Sequence, residues 1–113
     1  MSQITTHILD IAAGCPARDV PISLHVQELL GWREIGSGRT SEDGRISDLC
    51  AKKQILPAGT YRMHFDTAAY FESRGEAVFY PFVDVVFNIG GDGLHYHIPL
   101  LLSPYGYSTY RGS

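Results

Sequence analysis

What most limits the folds open to this chain is its run of short segments that alternate polar and apolar residues, each cut off by Gly, Pro, Asp or Ser. A period of two sends alternate side chains to opposite faces of an extended strand, and such a segment cannot bury a helical stripe. Gln3 to Leu9 sets the pattern, with Ile4, Thr6 and Ile8 on one face and Thr5, His7 and Leu9 on the other. Val20 to Leu29 repeats it, with Ile22, Leu24 and Val26 inward, Ser23, His25 and Gln27 outward, and Pro21 at a strand start. Trp32 to Thr40 is a weaker strand, and Thr60–Phe65, Pro81–Asn88, Leu94–Leu102 and Tyr107–Arg111 complete the set. The turns are Ser41-Glu42-Asp43-Gly44, Leu56-Pro57-Ala58-Gly59, Gly90-Gly91-Asp92-Gly93 and Ser103-Pro104-Tyr105-Gly106. Asp66-Thr67 caps one short helix over Ala68 to Ser73. Seven or eight strands with one helix predict an all-β sandwich or barrel.

With 113 residues and no linker or repeat, the chain reads as a single domain over residues 1–113. A core of this size is marginal alone, so association is a natural source of further stability. The net charge is −3 and the nine Lys and Arg are scattered, which argues against a nucleic-acid partner. No apolar run approaches the roughly 18 residues of a membrane helix. The two cysteines, Cys15 and Cys50, match no zinc motif and are too few for a disulfide scaffold. Reduced thiols, and an N-terminal stretch without secretory character, point to the cytoplasm.

The chemistry lies on the strand faces that are not core. In His95-Tyr96-His97-Ile98-Pro99-Leu100-Leu101, alternation assigns Leu94, Tyr96, Ile98 and Leu100 to the core and His95, His97, Pro99 and Leu101 to the other face. His7 shares its face with Thr5 and Leu9, and Ser108 falls with Tyr110. An outer face mixing Leu, Pro, His and Tyr suits a second buried surface between subunits, with a polar pocket in it. Two histidines at period two aim at one volume, and the residues alone leave a metal site, an acid–base site and coincidence all open. Taken singly, Arg45 after a turn reads as a solvated cation, and Tyr110-Arg111-Gly112-Ser113 as a frayed tail. No phosphate-binding glycine loop and no Gly-x-Ser-x-Gly elbow is present. Cys15 and Asp84 read as bystanders.

In order along the chain, His7-Ile8-Leu9-Asp10, Gly14-Cys15-Pro16-Ala17, Thr40-Ser41-Glu42-Asp43-Gly44-Arg45 and the run from His95 to Ser113 resemble the 5-hydroxyisourate hydrolase branch of the transthyretin-like family. The likeness spans essentially the whole chain, and the terminal Tyr-Arg-Gly-Ser is its most specific part, since the hormone-carrier branch lacks it. The resemblance implies a two-sheet sandwich of about eight strands with one short helix. It implies a homotetramer, a dimer of dimers, whose central channel holds sites lined by His7, Arg45, His97 and the tail, with His95 at the rim. It also implies hydrolysis of the N1–C6 bond of 5-hydroxyisourate, without metal or cofactor. His97 would position or deprotonate water and His7 would contact the ring or shuttle a proton, with the two roles exchangeable. Arg45 would meet the substrate's carbonyl oxygens, Tyr110, Arg111 and Gly112 would bind substrate, and Ser113 would orient a histidine or the water. An extension beyond Ser113 is then expected to impair activity. The rival readings are a zinc hydrolase, a carrier of an aromatic ligand, and a plain interaction sandwich.

Overall fold

In the computed structural model, which describes residues 2–50 and 54–112, the alternating segments are strands. In chain order they are β1 (Ile4–Asp10), β2 (Cys15–Pro16), β3 (Pro21–Glu28), β4 (Gly31–Arg39), β5 (Arg45–Ile46), β6 (Gly59–Phe65), β7 (Val83–Ile89), β8 (Tyr96–Ser103) and β9 (Gly106–Thr109). One helix, α1 (Thr67–Ser73), joins β6 to β7. The first sheet runs β2–β1–β8–β9 with β5 also paired to β1; the second runs β4–β3–β6–β7. The expected two-sheet sandwich with a single short helix is thus what the described residues form.

The core lies between the sheets. Ile4 and Ile8 of β1, Ile98 and Leu100 of β8, Leu24 of β3 and Tyr61, Met63 and Phe65 of β6 are buried there. Burial of each large apolar side chain contributes about 1.5–3 kcal/mol. The helix is fixed at both levels. The Asp66 carboxylate accepts the Ala69 N–H at 3.1 Å and caps its first turn. Farther along, the Tyr70 hydroxyl donates to the buried Asp10 carboxylate at 2.7 Å, tying the helix to the end of β1.

Strand β1 positions the site because it has partners on both sides. It pairs in parallel with β8, setting Thr5 beside His97 and His7 beside Pro99. On its other side it pairs antiparallel with β5, setting His7 opposite Arg45. Three segments that are remote in sequence therefore present one continuous outer face.

Three details depart from the sequence reading. Strands β2 and β5 have two residues each, too few for alternation to register. Strand β8 begins at Tyr96, and Leu94 is 56% exposed rather than part of the core. Its N–H is taken by the Asp92 side chain in the preceding turn, and ladder pairing starts only where Tyr96 N–H reaches the Gln3 carbonyl. Strand β9 stops at Thr109, so alternation does not carry through to Tyr110.

The turn before β5 depends on one glycine. Gly44 has φ +76°, and a Cβ there would run into the Ile8 carbonyl of β1. Gly44→Ala is expected to destabilise the fold by about 2 kcal/mol or more, lowering the Tm by several degrees in thermal denaturation. An unchanged Tm would contradict this account of the turn.

Candidate active site

The outer face of the first sheet holds a pocket of about 260 Å3 lined by Thr5, Thr6, Arg45, Ile46, Ser47, His95 and His97. His97 reaches it from β8 and is half-buried. His95 lies just ahead of that strand and is exposed, at the open edge. Arg45 comes from β5 at the exit of the Ser41–Gly44 turn, with its side chain 53% exposed. His7 shares the face beside Arg45, next to the pocket wall rather than among its lining residues.

The turn chemistry aims Arg45. Asp43 accepts hydrogen bonds from the Ser41 hydroxyl and from the Arg45 N–H, and its second oxygen sits 3.7 Å from Arg45 Nε. The Ser41 hydrogen bond, foremost, holds the Asp43 carboxyl below the usual carboxylate range, so an anion stays beside the guanidinium. His97 is likewise shifted below a typical exposed imidazole, for a different reason. Burial first, then the positive charge of Arg45 and the neighbouring His95 and His7, lowers its pKa, against a smaller opposing contribution from Thr5. A pocket imidazole that stays neutral at pH 7 is available as a proton acceptor.

Alternation puts Thr5 on this face, and nothing in the sequence singles out its hydroxyl. It is 6% exposed, and its hydroxyl lies 2.8 Å from His97 Nδ1 and 3.0 Å from His95 Nε2. Only the β1–β8 pairing, which joins residues ninety-two positions apart, brings it there.

The tail divides. Gly112 N–H donates to the His97 carbonyl at 2.8 Å, and the two form an isolated bridge that lays the tail across the site. A Cβ on Gly112 would lie 2.6 Å from His97 Cδ2, so glycine is what allows the backbone to press on the imidazole. Tyr110 and Arg111 instead line a second depression with Tyr96 and Ile98, which belong to the core-facing side of β8, and the Arg111 guanidinium sits 4.8 Å above the Tyr96 ring. Within one chain the structure therefore brings together His7, Arg45, His97 and Gly112, and sets Tyr110 and Arg111 apart from them. Ser113 lies outside the described residues. Among the described residues no three His, Cys, Asp or Glu side chains converge in a way that holds a metal ion.

A family model described as HIUase/Transthyretin family matches residues 4–112. The chain belongs to this family. Its relatives include the 5-hydroxyisourate hydrolase of Mus musculus, 46% identical, with 99% of this chain and 96% of that one covered. Among solved structures, the 5-hydroxyisourate hydrolase of Klebsiella pneumoniae superposes with a TM-score of 0.87 at 37% identity, covering both chains fully. Sea bream transthyretin in complex with thyroxine superposes with a TM-score of 0.90, also at 37% identity, covering 97% of this chain and 94% of that one. The family fold thus serves an enzyme and a hormone-binding protein about equally well, and the backbone does not choose between them. Side chains in the pocket must make that choice.

Proposed function

We propose that this chain is a hydrolase that opens the six-membered ring of 5-hydroxyisourate with water, giving 2-oxo-4-hydroxy-4-carboxy-5-ureidoimidazoline in urate degradation. The carrying observation is the pairing of a desolvated, neutral-leaning His97 with the Arg45 cation in one pocket. A carrier of an apolar ligand gains little from that pairing, whereas water addition to a carbonyl draws on a base for the water and a donor for the developing oxyanion, and His97 and Arg45 supply both.

In this mechanism His97 takes a proton from water as its oxygen bonds to C6. Charge develops on the C6 oxygen, and the Arg45 guanidinium presents planar donors to it. The C6–N1 bond then breaks and N1 receives a proton, from His97 or from His7. His7, beside Arg45, contacts the ring. Ser113, through its hydroxyl, orients a histidine or the water. No metal or cofactor has a step. Tyr110 and Arg111 line a different depression from the His97 pocket of their own chain, so their contact with substrate calls on a second copy. That fits a homotetramer, a dimer of dimers with its sites in a central channel. Exposed Phe82, just before the edge strand β7, and Val86 within it give such an assembly apolar surface to cover. The cytoplasm suits the two free thiols, Cys15 and Cys50.

Hydrolysis in 18O-labelled water tests the reaction directly. One labelled oxygen should enter the new carboxyl group at a rate proportional to protein concentration above the spontaneous background; label entry independent of protein would overturn the proposal. The pH dependence tests the base. A lowered pKa means that His97 loses its proton at lower pH than an ordinary histidine, so the base form persists further into acid. The acid limb of kcat/KM should have its midpoint below about 6.5. A midpoint above that value would remove His97 from the role.

A further inference from the structure

A base must present a bare nitrogen, and neutral imidazole has two tautomers that differ in which nitrogen is bare. His97 uses Nδ1 to meet the Thr5 hydroxyl at 2.8 Å, and the same hydroxyl meets His95 Nε2 at 3.0 Å. A hydroxyl has one proton to give. With both rings neutral, Thr5 donates to one of these nitrogens and accepts an N–H from the other. Two arrangements satisfy all three groups. In the first, His97 Nδ1–H donates to Thr5, Thr5 donates to His95 Nε2, and His97 Nε2 is bare. In the second, His95 Nε2–H donates to Thr5, Thr5 donates to His97 Nδ1, and His97 Nε2 carries the proton.

We infer that Thr5 is a positioning residue that, with His95 as its acceptor, holds neutral His97 in the first arrangement and so keeps Nε2 bare for the water. The inference deepens the hydrolase reading and rests on His97 being the base. Thr5 is placed for this by the fold: it is the residue beside His97 in the parallel register, and it is almost wholly buried, so water competes poorly for its hydroxyl. The two rings lie 6.4 Å apart at 19°, flanking that hydroxyl. The other titratable groups facing His97 are His7 from β1 and Arg45 from β5, and neither hydrogen-bonds its Nδ1. No carboxylate lines the pocket among the described residues, so the usual acidic partner of a catalytic histidine is replaced here by a hydroxyl backed by a second imidazole.

The test combines nitrogen-15 NMR of the imidazoles, at a pH where both are neutral, with kinetics on 5-hydroxyisourate. Wild-type His97 should show protonated Nδ1 and bare Nε2. Thr5→Val keeps the shape and removes the hydroxyl; His95→Leu removes the acceptor at an exposed position. Each should mix the His97 tautomers and lower kcat about five- to tenfold with KM little changed. The double variant should be no worse than either single one, because all three lack the same lock. Thr5→Ser should restore both the tautomer and most of kcat, an outcome that a merely structural role for Thr5 does not give. Wild-type His97 with its proton on Nε2 would overturn the inference, as would wild-type kcat in Thr5→Val. Should Thr5→Val fail to fold, the wild-type spectrum and His95→Leu decide alone. A wild type that does not turn over the substrate would sink the hydrolase reading, whereas an active wild type matched by Thr5→Val would sink only the tautomer lock.

Discussion

His97→Asn should lower kcat/KM for 5-hydroxyisourate about 10²–10⁴-fold, the span that a positioned general base contributes. That is a loss of about 2.7–5.4 kcal/mol of transition-state stabilisation. Asparagine keeps a polar group of similar reach but cannot take a proton from water near neutral pH. The loss should fall on kcat more than on KM, because the base acts on water and not on the bound ring. His97 is half-buried on the outer face of β8, while the core is supplied by Tyr96, Ile98 and Leu100 of the same strand. The variant should therefore fold, with a circular dichroism spectrum and Tm close to wild type. A folded His97→Asn protein with wild-type turnover would take His97 out of the chemistry.

Gly112→Ala should be nearly as damaging by a different route. The added methyl group would stand 2.6 Å from His97 Cδ2 and 3.2 Å from Cγ, well inside contact distance. Either the imidazole turns away or the tail lifts and loses the 2.8 Å bond from Gly112 N–H to the His97 carbonyl. Displacing a reacting group by about 1 Å costs on the order of 10²-fold in rate, and a loss of that size is expected in kcat/KM. Stability should change little, since the tail follows the last strand and adds no core side chain. Steady-state kinetics beside a thermal melt separates the two effects. Loss of activity in step with loss of fold would contradict a local action on His97.

These two positions also mark how far the sequence could be read. Period two placed His7 and His97 on an outer face, and the structure has both there, because alternation is local and needs no knowledge of partners. The Asp66 cap and the helix it starts were legible for the same reason. Arg45 was a plain surface cation until the family resemblance singled it out. Its position opposite His7 depends on a two-residue strand that no periodicity reveals. Thr5 shared the right face, but its hydroxyl gains meaning only when β1 and β8 pair in parallel across most of the chain. Leu94 and Tyr110 went the other way. Alternation runs past the strand ends at both: β8 begins only at Tyr96, after the Asp92 turn takes the Leu94 N–H, and β9 ends at Thr109. Ser113, given a part by the resemblance, lies outside the described residues.

Generating 5-hydroxyisourate from urate with urate oxidase and following its ultraviolet decay, with and without the protein, tests the central claim most directly. The account predicts decay much faster than in a matched blank, at a rate proportional to the concentration of wild-type protein. Decay no faster than the blank, with the protein folded, would contradict it and leave the His97–Arg45 pocket to a ligand that is bound and not transformed.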